Sequence, residues 1–342
     1  MTKFKPLVVV ASLLFAITLL IPALLVLPFS DEKASGVKPV KEEKPDQEAA
    51  APPSVEPSID VSVFRMSSKA VETLSFEEYL IGVVSAEMPA DFEKEALKAQ
   101  ALAARTYITK HIMDDKQTEL PGGAMITDTV THQVYKNKTE LKKQWKKDYD
   151  WKLQRVTEAV RETSGQILTY DGQPITAAFF STSNGYTENA EFVWTSPAPY
   201  LESVESPWDI GTPKFTDEKV IPISDFERRL GVKVPDGDQV GSFIETTAGN
   251  RVGRAEINGT KIKGVDIRDK LGLKSTDFNW KRSGNDIIIQ TKGYGHGVGM
   301  SQYGANGMAE EGKDYKEIVT HYYKGVEISK SDTMLAKVTA KK

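Results

Sequence analysis

The sequence predicts an α+β fold in which helices around Glu87 pack with short, mainly antiparallel strands, and three observations lead there. Two runs of helix-forming residues flank Met88-Pro89-Ala90. The second half of the chain is cut into short apolar segments by Asp-Gly, Asn-Gly and Gly-Asn pairs, which are strand and turn signals. The composition, 39% hydrophobic and 27% charged over 342 residues, is that of a globular protein with a sizeable core.

The elements follow in chain order. Lys3 and Lys5 precede an uncharged run over 6–29, and Asp31 and Glu32 follow it. At about 1.5 Å per helical residue the run reaches roughly 35 Å, enough to cross a hydrocarbon core of about 30 Å. A cleaved signal peptide would have a shorter apolar region and a small-x-small site, whereas Leu24 to Phe29 leads straight to the acidic flank. Residues 1–30 are therefore expected to form a transmembrane helix with a cytoplasmic N-terminus, because the positive charge lies before the span. Everything after Ser30 is then extracytoplasmic. Residues 31–58, rich in Pro, Lys, Glu and Ala, cannot bury a core and read as a disordered linker.

A body over 59–329 follows, with a flexible tail over 330–342. Helices are expected over 75–87, ended by Pro89, and over 91–113, with Asp91 as N-cap. A third is expected over 151–163, closed by Ser164-Gly165. Strands are expected over 166–170, 175–181, 252–257 and 287–291. The stretch from about 209 to 285 has its own strand, turn and helix pattern, including Asn258-Gly259, and reads as an inserted small α/β subdomain.

Composition also removes function classes. With 44 Lys plus Arg against 48 Asp plus Glu, the net charge of −4 gives no basis for binding nucleic acid. The absence of cysteine excludes disulfides, thiolate nucleophiles and thiolate zinc sites, and the four histidines are scattered, so no metal and no cofactor is expected.

Four clusters could do chemistry. Glu87 has apolar neighbours at the C-terminal end of a helix, where desolvation and the helix dipole both favour the protonated form that a general acid requires. The bland alternative is a surface glutamate. In the following alanine-rich helix, Gln100 and Arg105 could line a polar cleft, although Arg105 in a structural ion pair is the competing possibility. Ser181 begins a turn dense in hydroxyls. It could bind substrate, or serve as nucleophile with His296 as base, but no Gly-x-Ser-x-Gly elbow surrounds it. The block from Gly293 to Gly304 has glycine at nearly alternate positions without matching a phosphate loop, and puts His296, Gln302 and Tyr303 on a candidate cleft wall. Aromatic residues such as Trp194 and Tyr294 could pack on sugar rings.

Val84-Ser85-Ala86-Glu87-Met88-Pro89, Ala99-Gln100-Ala101-Leu102-Ala103-Ala104-Arg105, Ser181-Thr182-Ser183-Asn184-Gly185 and Gly295-His296-Gly297-Val298-Gly299-Met300-Ser301-Gln302 together resemble the stage II sporulation protein D family, and the similarity spans most of the body. The resemblance implies a lytic transglycosylase acting on peptidoglycan during engulfment, with a preference for glycan strands stripped of stem peptides. It implies location on the mother-cell side of the sporulation septum. The partners it implies are a sporulation amidase (stage II sporulation protein P) and a membrane protein (stage II sporulation protein M). Carried over by position, Glu87 matches the catalytic glutamate, Gln100, Arg105 and Ser181 match cleft residues, and His296 and Gln302 match the glycine-rich block. Some relatives bind zinc through cysteines near the position of His132; this chain has none, and that feature is not carried over. Two rivals stand beside this expectation: a non-catalytic enhancer of a wall amidase, as found among relatives, and a serine-type hydrolase using Ser181 and His296.

Overall fold

A computed structural model describes residues 59–114, 119–194, 197–331 and 334–335; the expected membrane span and linker lie outside them. Among the described residues no helix is long and apolar enough to cross a membrane. The described chain enters through an antiparallel hairpin, β1 (Asp60–Arg65) and β2 (Ala70–Ser75), whose Val61 and Val63 point into the core. Ser75 ends the hairpin and caps α1 (Phe76–Glu87), its side chain accepting from the Glu78 N–H. The helix stops because Met88, ahead of Pro89, must be extended, at φ −119° and ψ 138°.

α2 (Lys94–Met113) starts later than expected. Glu93 takes the N-cap position, and Asp91 instead pairs with Lys152 at 2.8 Å. β3 (Ile126–Thr127) adds to β1 in parallel. Two helices follow: α3 (Lys138–Trp145), opened by an Asn137/Glu140 capping box, and α4 (Tyr149–Glu162). β4 (Gln166–Tyr170) and β5 (Gln173–Pro174) pair antiparallel. The expected strand over 175–181 shrinks to β6 (Phe179–Phe180), because the Ala178 N–H bonds back to the Thr176 carbonyl at 2.8 Å and turns the chain. A short α5 (Ala190–Val193) precedes the insertion.

The insertion builds its own core. β7 (Thr216–Pro222), α6 (Ile223–Leu230), β8 (Ser242–Thr246), β9 (Val252–Ile257), β10 (Thr260–Lys263), α7 (Gly264–Leu271), β11 (Asp277–Ser283) and β12 (Asp286–Lys292) form two antiparallel sheets, ordered β10-β9-β8 and β11-β12-β7. Asn258 and Gly259 turn β9 into β10 with φ of 46° and 79°, the left-handed pair a tight hairpin needs. Phe226, Ile257, Ile267, Leu271, Ile287 and Ile289 fill this second core. Its bounds differ from the expected 209–285: β12 continues it to Lys292, while Asp209 bonds into the main body.

The chain then returns through β13 (Met300–Ser301), parallel to β6, into α8 (Gln302–Glu310), α9 (Tyr315–Tyr322) and β14 (Glu327–Lys330), which pairs with β4. Two parallel pairings thus join the antiparallel ones. The tail expected to be flexible from 330 is partly fixed: Lys330 lies in β14, the Ser331 N–H bonds to the Gly165 carbonyl at 2.8 Å, and Leu335 is buried.

α2 is the centre of the main core, packed by α1, α4, α8, α9 and β4. Ala96, Ala99, Ala101, Ala103 and Ala104 are all fully buried, so a helix surrounded on all sides can be approached closely. This is why the sequence there is alanine-rich and why Gln100 and Arg105, set among those alanines, are buried.

Candidate active site

Glu87 is the last residue of α1, at the negative end of the helix, and its partly buried side chain opens onto a cleft of about 550 Å³. Tyr107 and the segment 130–133 form one wall; 176–181, Trp194 and Tyr294 to His296 form the other, with Gln302 beside Glu87. Among the described residues Glu87 is the one carboxylate lining this cleft. Burial pushes its pKa up to about 7, against the opposing pull of a hydrogen bond from the Val134 N–H to Oε1 at 3.0 Å. Near neutral pH a large fraction is therefore the acid, and the remainder is the base.

Gln302 ties the two halves of the site together. Its Nε2 donates to the Glu87 main-chain carbonyl at 3.0 Å and to Gln100 Oε1 at 3.3 Å. Gln100 is fully buried and reaches the site through Gln302 without lining the cleft.

Arg105 is not brought to the cleft. It is 0% exposed and turned the other way. Its guanidinium donates to the carbonyls of Val160 at 2.8 Å, Thr163 at 2.7 Å and Gln166 at 3.4 Å, completing the C-terminal turn of α4. The expectation that it faces substrate is corrected; a buried cation here satisfies the orphan carbonyls at the negative end of a helix.

Ser181 and His296 both line the cleft but do not form a catalytic pair. The Ser181 hydroxyl lies 3.3 Å from that of Thr182. His296 Nδ1 accepts from the Val298 N–H at 3.0 Å, and the ring lies 5.7 Å from that of Phe180 between centroids. Burial, with Arg268 and Arg251 nearby, drives its pKa down to about 4. A neutral ring so engaged is a poor proton acceptor, but together with Trp194, 5.3 Å away between centroids and tilted by 54°, it gives the cleft an angled aromatic corner. Tyr303 stands outside the cleft lining and packs edge-on to Phe92 at 4.9 Å.

Two buried acids that sequence reasoning missed shape the glycine-rich wall. Asp209 accepts from Ser301 at 2.6 Å, Ser183 at 2.8 Å and Ser206 at 2.6 Å, and Ser301 in turn caps α8, fixing Gln302. Glu188 accepts from the Thr247 hydroxyl and the Gly249 N–H and faces Arg251 of the insertion at 3.9 Å. Arg251 donates to the Tyr186 carbonyl at 2.9 Å and packs against Gly297, so the insertion buttresses the block carrying His296. Each has one partner nearby in sequence, Ser206 for Asp209 and the Asn189 N–H for Glu188, but the bonds that shape the wall come from Ser301 and from Thr247 and Gly249, which local pattern does not reveal.

The glycines of this block are required by space as well as conformation. At Gly299, φ is +77° and a Cβ would lie 2.1 Å from the Ala178 carbonyl oxygen. Gly299→Ala is expected to cost about 3 kcal/mol or more and to part β13 from β6, read as a lowered unfolding temperature. Unchanged stability would show that the wall yields freely.

A family model described as Stage II sporulation protein matches residues 65–170. The chain is 50% identical to Stage II sporulation protein D of Bacillus amyloliquefaciens and, equally, to that of Bacillus subtilis (strain 168), over 99% of this chain and 100% of each relative. It is also 34% identical to a Bacillus subtilis protein named Amidase enhancer, across 73% of this chain and 40% of that protein. Full-length identity of this order, over the very segments that build the cleft, establishes that the chain belongs to the stage II sporulation protein D family, a family of sporulation proteins.

Proposed function

We propose that the chain is a lytic transglycosylase that cleaves the bond between N-acetylmuramic acid and N-acetylglucosamine in peptidoglycan strands stripped of stem peptides. The observation that supports this most is a single carboxyl group, poised near pH 7, in a cleft whose other described lining residues include no second acid. Glu87, protonated, donates its proton to the glycosidic oxygen as positive charge develops at the muramic anomeric carbon. The resulting carboxylate then takes the proton of the muramic 6-hydroxyl, whose oxygen closes a 1,6-anhydro ring. The attack is intramolecular, so no water-activating partner carboxylate is needed. The Val134 amide steadies the carboxylate between the two steps, and Gln302 holds the end of α1 in place.

The proposal extends to the apolar run over 6–29 as a membrane anchor and to docking with stage II sporulation proteins P and M at the septum. The relative named Amidase enhancer supports a second reading, in which the cleft binds glycan and the chain stimulates an amidase without cutting.

Mass spectrometry of intact and peptide-stripped strands incubated with the purified chain decides between them. Anhydro-muramic ends are expected, more from stripped strands, with yield falling on the alkaline side of about pH 7 as Glu87 loses its proton. Uncut strands together with an accelerated amidase would establish the enhancer instead.

A further inference from the structure

The Val134 amide that bonds to Glu87 belongs to an irregular segment between β3 and α3, and nothing in Val134 itself dictates where its N–H points. Its neighbour Gln133 does not share that freedom. The Gln133 side chain is 1% exposed and held at both ends: Oε1 accepts from the Tyr79 hydroxyl at 2.8 Å, and Nε2 reaches the Ala104 carbonyl at 3.5 Å. Tyr79 is itself fully buried on α1, two turns before Glu87, and Ala104 lies on α2. On the far side of Val134, Tyr135 stacks on Tyr79 with ring centroids 5.9 Å apart, close enough to α1 that only glycine fits at position 82.

We propose that Gln133 is a positioning residue for the reaction: clamped between the Tyr79 hydroxyl and the Ala104 carbonyl, it orients the segment so that the Val134 N–H donates to Glu87 Oε1. This role rests on Glu87 being the acid. A glutamine buried solely for packing would be an expensive choice, since each of its polar atoms must be matched in the interior. Here the matching fixes one backbone amide against one carboxyl oxygen.

The consequence has a sign that packing alone does not share. The amide stabilises the carboxylate and so opposes the burial that favours the acid. The other titratable groups around Glu87 are Tyr79 from α1, Tyr107 from α2, His132 from the same segment, and Tyr294 and His296 from the glycine-rich wall. Among the described residues no lysine or arginine lines the cleft to take over the amide's task. Releasing the amide therefore leaves burial unopposed, and the carboxyl holds its proton to higher pH.

The test uses the full-length chain in detergent, with Gln133→Leu, Tyr79→Phe and Val134→Pro each made with and without Glu87→Gln. Unfolding temperature is followed from pH 5 to pH 9. In each pair the advantage of glutamine over glutamate at position 87 grows with pH until Glu87 is ionised, then levels off. That levelling point reads the Glu87 ionisation in the folded chain without any need for catalysis. It is expected to rise by about one pH unit in Gln133→Leu and Val134→Pro, and by less in Tyr79→Phe, which removes one of the two clamps and keeps the ring. The alkaline limb of anhydro-end formation should move with it. A levelling point unmoved in both Gln133→Leu and Tyr79→Phe overturns the positioning role even if Val134→Pro moves it, and one unmoved in Val134→Pro overturns the role of the amide. Should Gln133→Leu fail to fold, Tyr79→Phe carries the decision. A chain that releases no anhydro ends but still shows the shift would remove the proposed function and leave the positioning intact.

Discussion

Replacing Glu87 with glutamine is expected to abolish glycan cleavage and yet give a protein more stable than its parent above neutral pH. A positioned proton donor contributes roughly 10²- to 10⁴-fold to rate, and glutamine has no proton to give, so anhydro ends should fall by at least that factor. Stability moves the other way. Burial raises the folded-state pKa from 4.5 to about 7, so the folded chain binds more protons than the unfolded chain between those values. The glutamate's contribution is intact below about pH 4.5, is lost progressively as pH rises to about 7, and stays lost above it. The difference corresponds to an upper bound of about 3 kcal/mol, reduced by the solvent that reaches a partly buried group. Glutamine escapes the penalty and can still accept the Val134 N–H. Unfolding temperatures of the two proteins should nearly coincide at pH 4.5 and separate by pH 8. Equal yields of anhydro ends would remove Glu87 from the chemistry; equal melting at both pH values would show that the carboxyl is not held in its acid form.

The second large effect is expected at Arg105, through a different physical route. Arg105→Met keeps the volume and removes the cation, so the buried carbonyls of Val160 and Thr163 lose their charged donor and keep only the Thr163 hydroxyl and the Gln166 N–H. Buried hydrogen bonds from a charged donor contribute about 1.5 to 3 kcal/mol each, so losing these two is expected to cost roughly 3 to 5 kcal/mol, a large part of the stability of an ordinary domain. The unfolding temperature should drop by about 10 °C, with activity lost as the chain unfolds and recovered on cooling below the new transition. Arg105→Lys, which cannot fork to several carbonyls, should fall between the two. If Arg105→Met melted like the parent but could not bind glycan, the arginine would belong to the cleft after all.

These two residues also show what was legible beforehand. Glu87 could be read locally, because a helix end, a proline and flanking apolar residues together determine its surroundings. Arg105 could not: whether a buried cation meets substrate or the end of another helix depends on how α4 packs on α2, over fifty residues away in sequence. α1, with its serine cap and proline stop, came out within one residue of its expected bounds, whereas α3 and α9, which open on capping boxes, were not expected. The strand over 175–181 fell short of its bounds, because a single backbone bond from Ala178 to Thr176 breaks a run of β-favouring residues that has no sequence mark of a turn. The bonds from Asp209 to Ser301, from Glu188 to Arg251 and from Gln133 to Tyr79 were missed for one reason: each joins residues more than fifty positions apart that only the folded chain brings near.

The bond from Gln302 to the carbonyl of Glu87 spans 215 positions. A chain emerging N-terminus first presents Glu87 early, yet the opposite wall of its cleft, the glycine-rich block and Gln302, arrives only after the whole insertion has been made, and β14 must then return to pair with β4. Contacts of such span form late in folding. Until then Glu87 lacks the burial that raises its pKa, so on the proposed function the acid is assembled only once both ends of the chain have met.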